Sequence, residues 1–125
     1  MKKPPKILLV DDDKDMCESL ADILTLDSDY KVDYAIDPFK ALAMIKKNNY
    51  SLIVLDYKMP DMNGIELLEK IKKILPEIIV FILTAFISTE LIEKAKKKGA
   101  DKVLSKFIWP EEILKLIHKY TDTIS

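Results

Sequence analysis

Short apolar runs alternate with amphipathic stretches along this chain. The runs are Ile7-Leu8-Leu9-Val10, Val32 to Ile36, Leu52-Ile53-Val54-Leu55, Ile78 to Leu83 and Val103-Leu104. Each has the length of a β-strand, and the three strongest are continuously apolar rather than alternating. A strand with one wet face alternates, whereas a continuous run is covered on both faces, so the pattern predicts a parallel sheet with helices above and below it. The stretches between supply those helices. Met16, Leu20, Ile23 and Leu24 mark one helical face, Leu42 and Ile45 a second, Ile65, Leu68 and Ile71 a third, Leu91, Ile92 and Ala95 a fourth, and Ile113, Leu114 and Ile117 a fifth. The order is strand then helix, five times, an α/β fold.

Local punctuation agrees with these elements. Asp37-Pro38 offers an N-cap acceptor followed by proline at the first helical position, and Trp109-Pro110-Glu111-Glu112 repeats the proline and adds first-turn carboxylates. Asp13 reads as an N-cap and Asp15 as a first-turn acid of the first helix. Lys94, Lys96, Lys97 and Lys98 precede Gly99, placing cations at the negative end of a helix dipole and glycine where a left-handed residue is needed. These lysines are expected to be a solvated helix end.

Length and charge narrow the possibilities. The 125 residues, 49% hydrophobic and 33% charged, fit one domain, residues 1–125, with one core. The 20 basic and 21 acidic residues are interspersed and give a net charge of -1, which argues against direct binding to nucleic acid or an anionic membrane. A single cysteine, Cys17, allows neither a disulfide framework nor a thiolate cluster and is expected to be an inert packing thiol. The apolar run near the start is too short for a signal peptide or a membrane span, so a cytoplasmic location is expected.

Chemistry is expected at the carboxyl ends of the strands, where ligands bind in open parallel sheets. Asp11, Asp12 and Asp13 follow the first strand, Asp56 the third, Thr84 the fourth and Lys106 the fifth. Gathering Asp11, Asp12 and Asp56 is unfavourable without a cation, because neighbouring like charges disfavour joint ionisation. Oxygen donors with no histidine or cysteine among them suit magnesium. Lys106 and the hydroxyl of Thr84 suit the oxygens of a phosphoryl group in transfer to a carboxylate, and Asp56 is the natural acceptor.

The segments Ile7 to Asp12, Leu55-Asp56-Tyr57-Lys58-Met59-Pro60-Asp61-Met62-Asn63-Gly64, Leu83-Thr84-Ala85 and Leu104-Ser105-Lys106 resemble the receiver domains of two-component response regulators. The resemblance covers nearly the whole chain. It implies a flavodoxin-like, doubly wound five-stranded sheet of order 2-1-3-4-5, in which Asp56 takes a phosphoryl group from the phosphohistidine of a sensor histidine kinase or a histidine phosphotransfer protein. It also implies that Asp12 and Asp56 hold magnesium directly, Asp11 through water, and Lys58 through its main-chain carbonyl. Thr84 and Lys106 would then turn to the phosphoryl group and alter the surface of the fourth helix, fifth strand and fifth helix, which acts on an effector domain or protein or forms a phosphorylation-dependent dimer. Such a domain catalyses only its own phosphorylation and dephosphorylation and is not otherwise an enzyme.

Departures from the family pattern bear on the output side. Phe107 follows Lys106 where proline in a cis bond is usual, and a non-proline cis bond costs about 2.5–4 kcal/mol, so a trans, reshaped loop competes with the family's turn. Val103 stands where an aromatic switch residue is usual. Lys58 and Phe86 occupy positions that tune phosphoryl lifetime in the family, and a cation and a bulky ring there would shield the acyl phosphate and slow its hydrolysis. The run Phe107-Ile108-Trp109 is expected to be core contact, with partner docking as the alternative. His118 is expected to be a solvated helix-end residue without a role. Two rival functions remain: a receiver-shaped module that is never phosphorylated, and a haloacid-dehalogenase-like phosphatase using Asp11-Asp12-Asp13.

Overall fold

Residues 3–26 and 28–122 are described by the computed structural model. The strands β1 (Lys6–Val10), β2 (Lys31–Ala35), β3 (Leu52–Asp56), β4 (Ile79–Thr84) and β5 (Lys102–Ser105) alternate with the helices α1 (Lys14–Leu26), α2 (Pro38–Lys47), α3 (Gly64–Ile74), α4 (Thr89–Lys97) and α5 (Pro110–Thr121). They form one sheet of order β2-β1-β3-β4-β5 in which every pairing is parallel. The order reverses between β1 and β3, which puts the crevice expected of such a sheet beyond their carboxyl ends.

The continuous apolar runs are explained by two buried layers. Leu8, Val10, Ile53, Leu55, Val80 and Ile82 point to one face and pack with Ala41 and Ile45 of α2, Leu67, Leu68 and Ile71 of α3 and Ala95 of α4. Their neighbours Ile7, Leu9, Leu52, Val54, Phe81 and Leu83 point to the other face and pack with Leu20 and Leu24 of α1 and Ile113 and Ile117 of α5. Successive residues of a strand face opposite ways, so a central strand buried on both sides must be apolar at every position. The run ends differ slightly from expectation. Ile36 lies past the end of β2 and is exposed, while Ile78 is buried but precedes β4.

Helix ends follow the sequence signals. The Asp37 carboxylate accepts from the Lys40 N–H at 2.8 Å with Pro38 at the first helical turn, and Asp13 caps α1 by accepting from the Met16 N–H at 3.2 Å. Helix α4 stops where Gly99 takes φ +108°, and its N–H reaches the Lys96 carbonyl at 3.0 Å. Trp109 precedes α5 without a side-chain cap, so the proline alone sets that start. Among the described residues no helix is long and apolar enough to cross a membrane.

Charges that are interspersed along the sequence are sorted in space. In a parallel α/β unit every helix runs opposite to the strands, so all helix N-termini share the carboxyl edge of the sheet. First-turn acids stand there: Asp15, Glu66, Glu90, Glu111 and Glu112. Last-turn bases stand at the opposite edge: Lys46 and Lys47, Lys72 and Lys73, Lys94, Lys96 and Lys97, and Lys119. Each placement complements one helix dipole, and α1, α3, α4 and α5 add their acids into an acidic end while α2, α3, α4 and α5 add their bases into a basic end. The near-zero net charge conceals this polarity. Asp37→Ala removes the cap of α2 and is expected to lower unfolding free energy by about 1 kcal/mol in a denaturant titration.

Candidate functional site

The acidic end is built by four chain segments that leave the sheet side by side. Beyond β1, the Asp11 N–H extends the ladder to the Ala35 carbonyl at 3.2 Å, and its carboxylate accepts from the Asp13 N–H at 3.0 Å. That turn leaves Asp12 exposed above the buried Asp11. Asp56 is the last residue of β3 and is buried, held from behind because the next N–H, of Tyr57, bonds the Leu83 carbonyl at 2.8 Å. Carboxylate oxygens of Asp11, Asp12 and Asp56 lie within 4.8 Å of one another.

The loop from β3 to α3 is closed tightly behind Asp56. The Gly64 N–H donates to the Tyr57 carbonyl at 2.7 Å, and Asn63 caps α3 through Glu66 N–H at 2.9 Å. A Cβ on Gly64 would lie 2.8 Å from the Asp56 carbonyl oxygen and 2.9 Å from the Tyr57 Cα, closer than backbone atoms can yield. Met59 and Met62 are buried in the layer under α3 and pin the loop at two points. The glycine and methionines of the quoted motif are therefore structural, and they serve Asp56 by fixing its backbone. This role went unread in the sequence, although Asn63-Gly64-Ile65-Glu66 carries a capping signal. Lys58 lies in this loop with its side chain in solvent.

Lys106 closes the site from β5. Its N–H bonds the Thr84 carbonyl at 2.7 Å, which fixes the backbone, and its ammonium reaches Asp56 Oδ2 at 3.0 Å and Asp11 Oδ2 at 3.4 Å. Thr84 is buried at the end of β4, and its hydroxyl engages its own loop, with the Phe86 N–H and carbonyl each 3.3 Å away. Burial pushes the Asp11 carboxyl up to about 6, with the Asp56 charge adding to it and the Asp13 N–H and Lys106 partly offsetting it. Burial pulls the Lys106 ammonium down, but the bond to Asp56 and the charges of Asp11 and Asp56 outweigh it and raise its pKa. Cys17 sits beneath, its thiol donating to the Asp11 carbonyl at 3.5 Å. Burial, then the Asp11 charge, push that thiol up to about 12, so it stays protonated and inert as expected.

Four further positions bear on the sequence expectations. Phe107 and Trp109 are exposed rather than core, and only Ile108 packs inward. No cis peptide bond occurs among the described residues, so the bond after Lys106 is trans. Phe86 stands in solvent, so any shielding of Asp56 by its ring requires it to move. His118 is exposed but not idle, since its Nδ1 lies 2.6 Å from the Tyr30 hydroxyl and ties α5 to the segment before β2.

Comparison with known proteins bears on this geometry. The family model described as response regulator receiver domain matches residues 7–118. Sporulation initiation phosphotransferase F of Bacillus subtilis is 33% identical over 115 residues, 92% of each chain. A response regulator receiver protein of Anaeromyxobacter sp. is 33% identical over 111 residues, 89% of this chain and 46% of that protein, so this chain spans less than half of that relative. The crystal structure of a CheY-like response regulator receiver domain protein from Methanospirillum hungatei superposes with a TM-score of 0.91 at 33% identity, covering 97% of this chain and 96% of that one.

Two outcomes follow from the geometry. Gly64→Ala is expected to destabilise the fold by about 1–3 kcal/mol through backbone displacement behind Asp56, measured by denaturant titration. A change under 0.5 kcal/mol would mean that the loop yields freely. The Asp11 carboxyl, raised to about 6 from 3.8, binds a proton more tightly when folded. Its contribution to stability is therefore full below about 3.8 and is lost as pH rises through about 6. In chelator, the melting temperature of Asp11→Asn is expected to fall less than that of the native protein between pH 4 and 7.

Proposed function

The chain belongs to the response regulator receiver domain family, and from there we propose that Asp56 accepts a phosphoryl group with magnesium held by Asp11, Asp12, Asp56 and the main-chain carbonyl of Lys58. The observation that carries this reading is the contact of one ammonium, Lys106, with two buried carboxylates, Asp56 at 3.0 Å and Asp11 at 3.4 Å.

The cluster fits a hard divalent ion. Three carboxylates converge against one lysine, leaving excess negative charge in a mostly buried site. The nearby soft ligand, Cys17, is protonated and spends its S–H on a carbonyl, so only oxygen is offered. Bound there, magnesium supplies positive charge that offsets the carboxylates and polarises phosphoryl oxygens.

The donor is the phosphohistidine of a sensor kinase or a phosphotransfer protein. An Asp56 carboxylate oxygen forms a bond to phosphorus while the phosphorus–nitrogen bond to the donor imidazole breaks. The nitrogen keeps the electron pair and takes a proton from solvent. Lys106, already oriented, holds the negative charge that builds on the transferred oxygens. Thr84 must leave Phe86 to reach the same oxygens, and its two 3.3 Å contacts are long enough to be given up readily. That exchange releases the β4–α4 loop and biases the surface of α4, β5 and α5 toward a second arrangement. Val103 is half-buried against the core, so the change passes through backbone and loop rather than through an aromatic rotamer.

Incubation with acetyl phosphate and magnesium, followed by intact mass, tests this reading. One phosphoryl group is expected on the native protein and none on Asp56→Asn, and Lys106→Ala is expected to react at least about tenfold more slowly. No gain on the native protein would favour a receiver-shaped module that is never phosphorylated, and equal gain on Asp56→Asn would place the acceptor elsewhere.

A further inference from the structure

At the edge of the sheet opposite the acidic cluster, the loops before β3 and β4 enclose an apolar groove of about 400 Å³, walled by Tyr50, Ile74, Leu75, Pro76, Ile78 and Ile79. Ile74 and Pro76 are exposed and Leu75 and Ile79 half-buried, so apolar side chains meet water along it. Its walls are held from behind. The buried Tyr50 donates its hydroxyl to Asp33 Oδ2 at 2.7 Å, the Ser51 N–H bonds the Lys6 carbonyl at 2.7 Å, and the Ile78 N–H bonds the Leu75 carbonyl at 3.2 Å. A preformed apolar hollow takes a side chain without first having to reorganise.

The charges around the groove select its occupant. Lys72 donates to the carbonyls of Pro76 and Ile78, which holds its ammonium beside the groove wall. Lys73 precedes Ile74, and Lys46 and Lys47 end the helix that runs through Asn48 and Asn49 into Tyr50. These three are exposed and make no salt bridge among the described residues. Two neighbouring lysines are offset, Lys6 by Asp33 at 3.6 Å and Lys98 by Glu69 at 3.7 Å. The remaining acids are Glu77, on the groove itself, and Asp101, whose carboxylate accepts from the Val80 N–H at 2.9 Å. Cations exceed acids, so the rim is basic around an apolar centre. A nucleic acid would press phosphates onto apolar walls, and a second copy paired symmetrically here would set lysines against lysines.

We propose that this groove, rimmed by Lys46, Lys47, Lys72 and Lys73, is a docking surface for a protein segment of apolar side chains flanked by aspartates or glutamates. The apolar side chains fill the hollow, and the carboxylates meet the lysines and set approach and register. Strand β3 begins just after Ser51 at the groove and ends at Asp56, about 16 Å away by strand rise. A partner held here leaves the carboxylate cluster open, so it stays bound while that edge of the molecule is engaged by another protein.

An amphipathic peptide of leucine and glutamate serves as the probe, with its leucine and lysine counterpart as control. The glutamate peptide is expected to bind saturably, with backbone amide shifts concentrated in residues 46–51 and 72–79 and absent from residues 11–15 and 56. Ile74→Ser, and separately Lys46→Gln with Lys73→Gln, are expected to weaken binding about threefold or more, while Lys40→Gln with Lys119→Gln, which removes equal charge elsewhere, is expected to leave it unchanged. All five side chains are exposed, so each variant is expected to keep the native melting temperature. Equal weakening by both lysine pairs would reduce the effect to general attraction and overturn the proposal. So would the absence of saturable binding, equal binding of the lysine peptide, or a footprint centred on the carboxyl edge. Shifts in residues 46–51 and 72–79 that grow with protein concentration alone would assign the groove to a second copy, and binding to anionic phospholipid vesicles but not to the peptide would assign it to a membrane; either result overturns the proposal.

Discussion

Two carboxylates buried side by side repel, and the fold accepts Asp11 and Asp56 together because Lys106 reaches both. The rest of the carboxyl edge is arranged around that contact. Lys106 can make it only if β5 is in register with β4, if β4 lies beside β3, and if β1 adjoins β3 on the other side. A central sheet of apolar strands, dry on both faces, gives that register its rigidity. The lysine offsets part of the charge, while burial, with the Asp56 charge adding to it, still holds the Asp11 carboxyl up at about 6.

The second constraint is steric. Gly64 touches the backbone of Asp56 and Tyr57 so closely that no side chain fits, and buried Met59 and Met62 clamp the same loop. The backbone of Asp56 is therefore set by packing beneath and behind it, while its carboxylate is met from β5 by the Lys106 ammonium. Thr84 differs, being held by two long contacts to its own loop. A rigidly held carboxylate beside a loosely tethered hydroxyl suits a switch, since only the tethered part has to move.

Much of this was legible in the sequence. The five apolar runs gave the strands because burial on both faces demands unbroken apolarity, and the chemistry-bearing residues could be gathered because strand ends converge in a parallel sheet. Asp11, Asp12 and Asp56 do converge and Lys106 joins them. The failures have physical reasons. Phe107 and Trp109 looked like core because apolarity predicts burial on average, but the two layers are already filled from the strands and helices. His118 looked idle because its partner, Tyr30, lies far away in sequence. The charge polarity was hidden because net charge and linear mixing say nothing about helix direction.

The central claim is that the carboxylate cluster carries excess negative charge that a divalent cation relieves. Melting temperature at neutral pH, in magnesium chloride and in chelator at matched ionic strength, tests it for the native protein and for Asp56→Asn. Magnesium is expected to raise the native melting temperature, by an amount equivalent to about 2.7 kcal/mol at one hundred times its dissociation constant, and to raise that of Asp56→Asn much less. Identical native melting temperatures in magnesium and chelator would contradict the account.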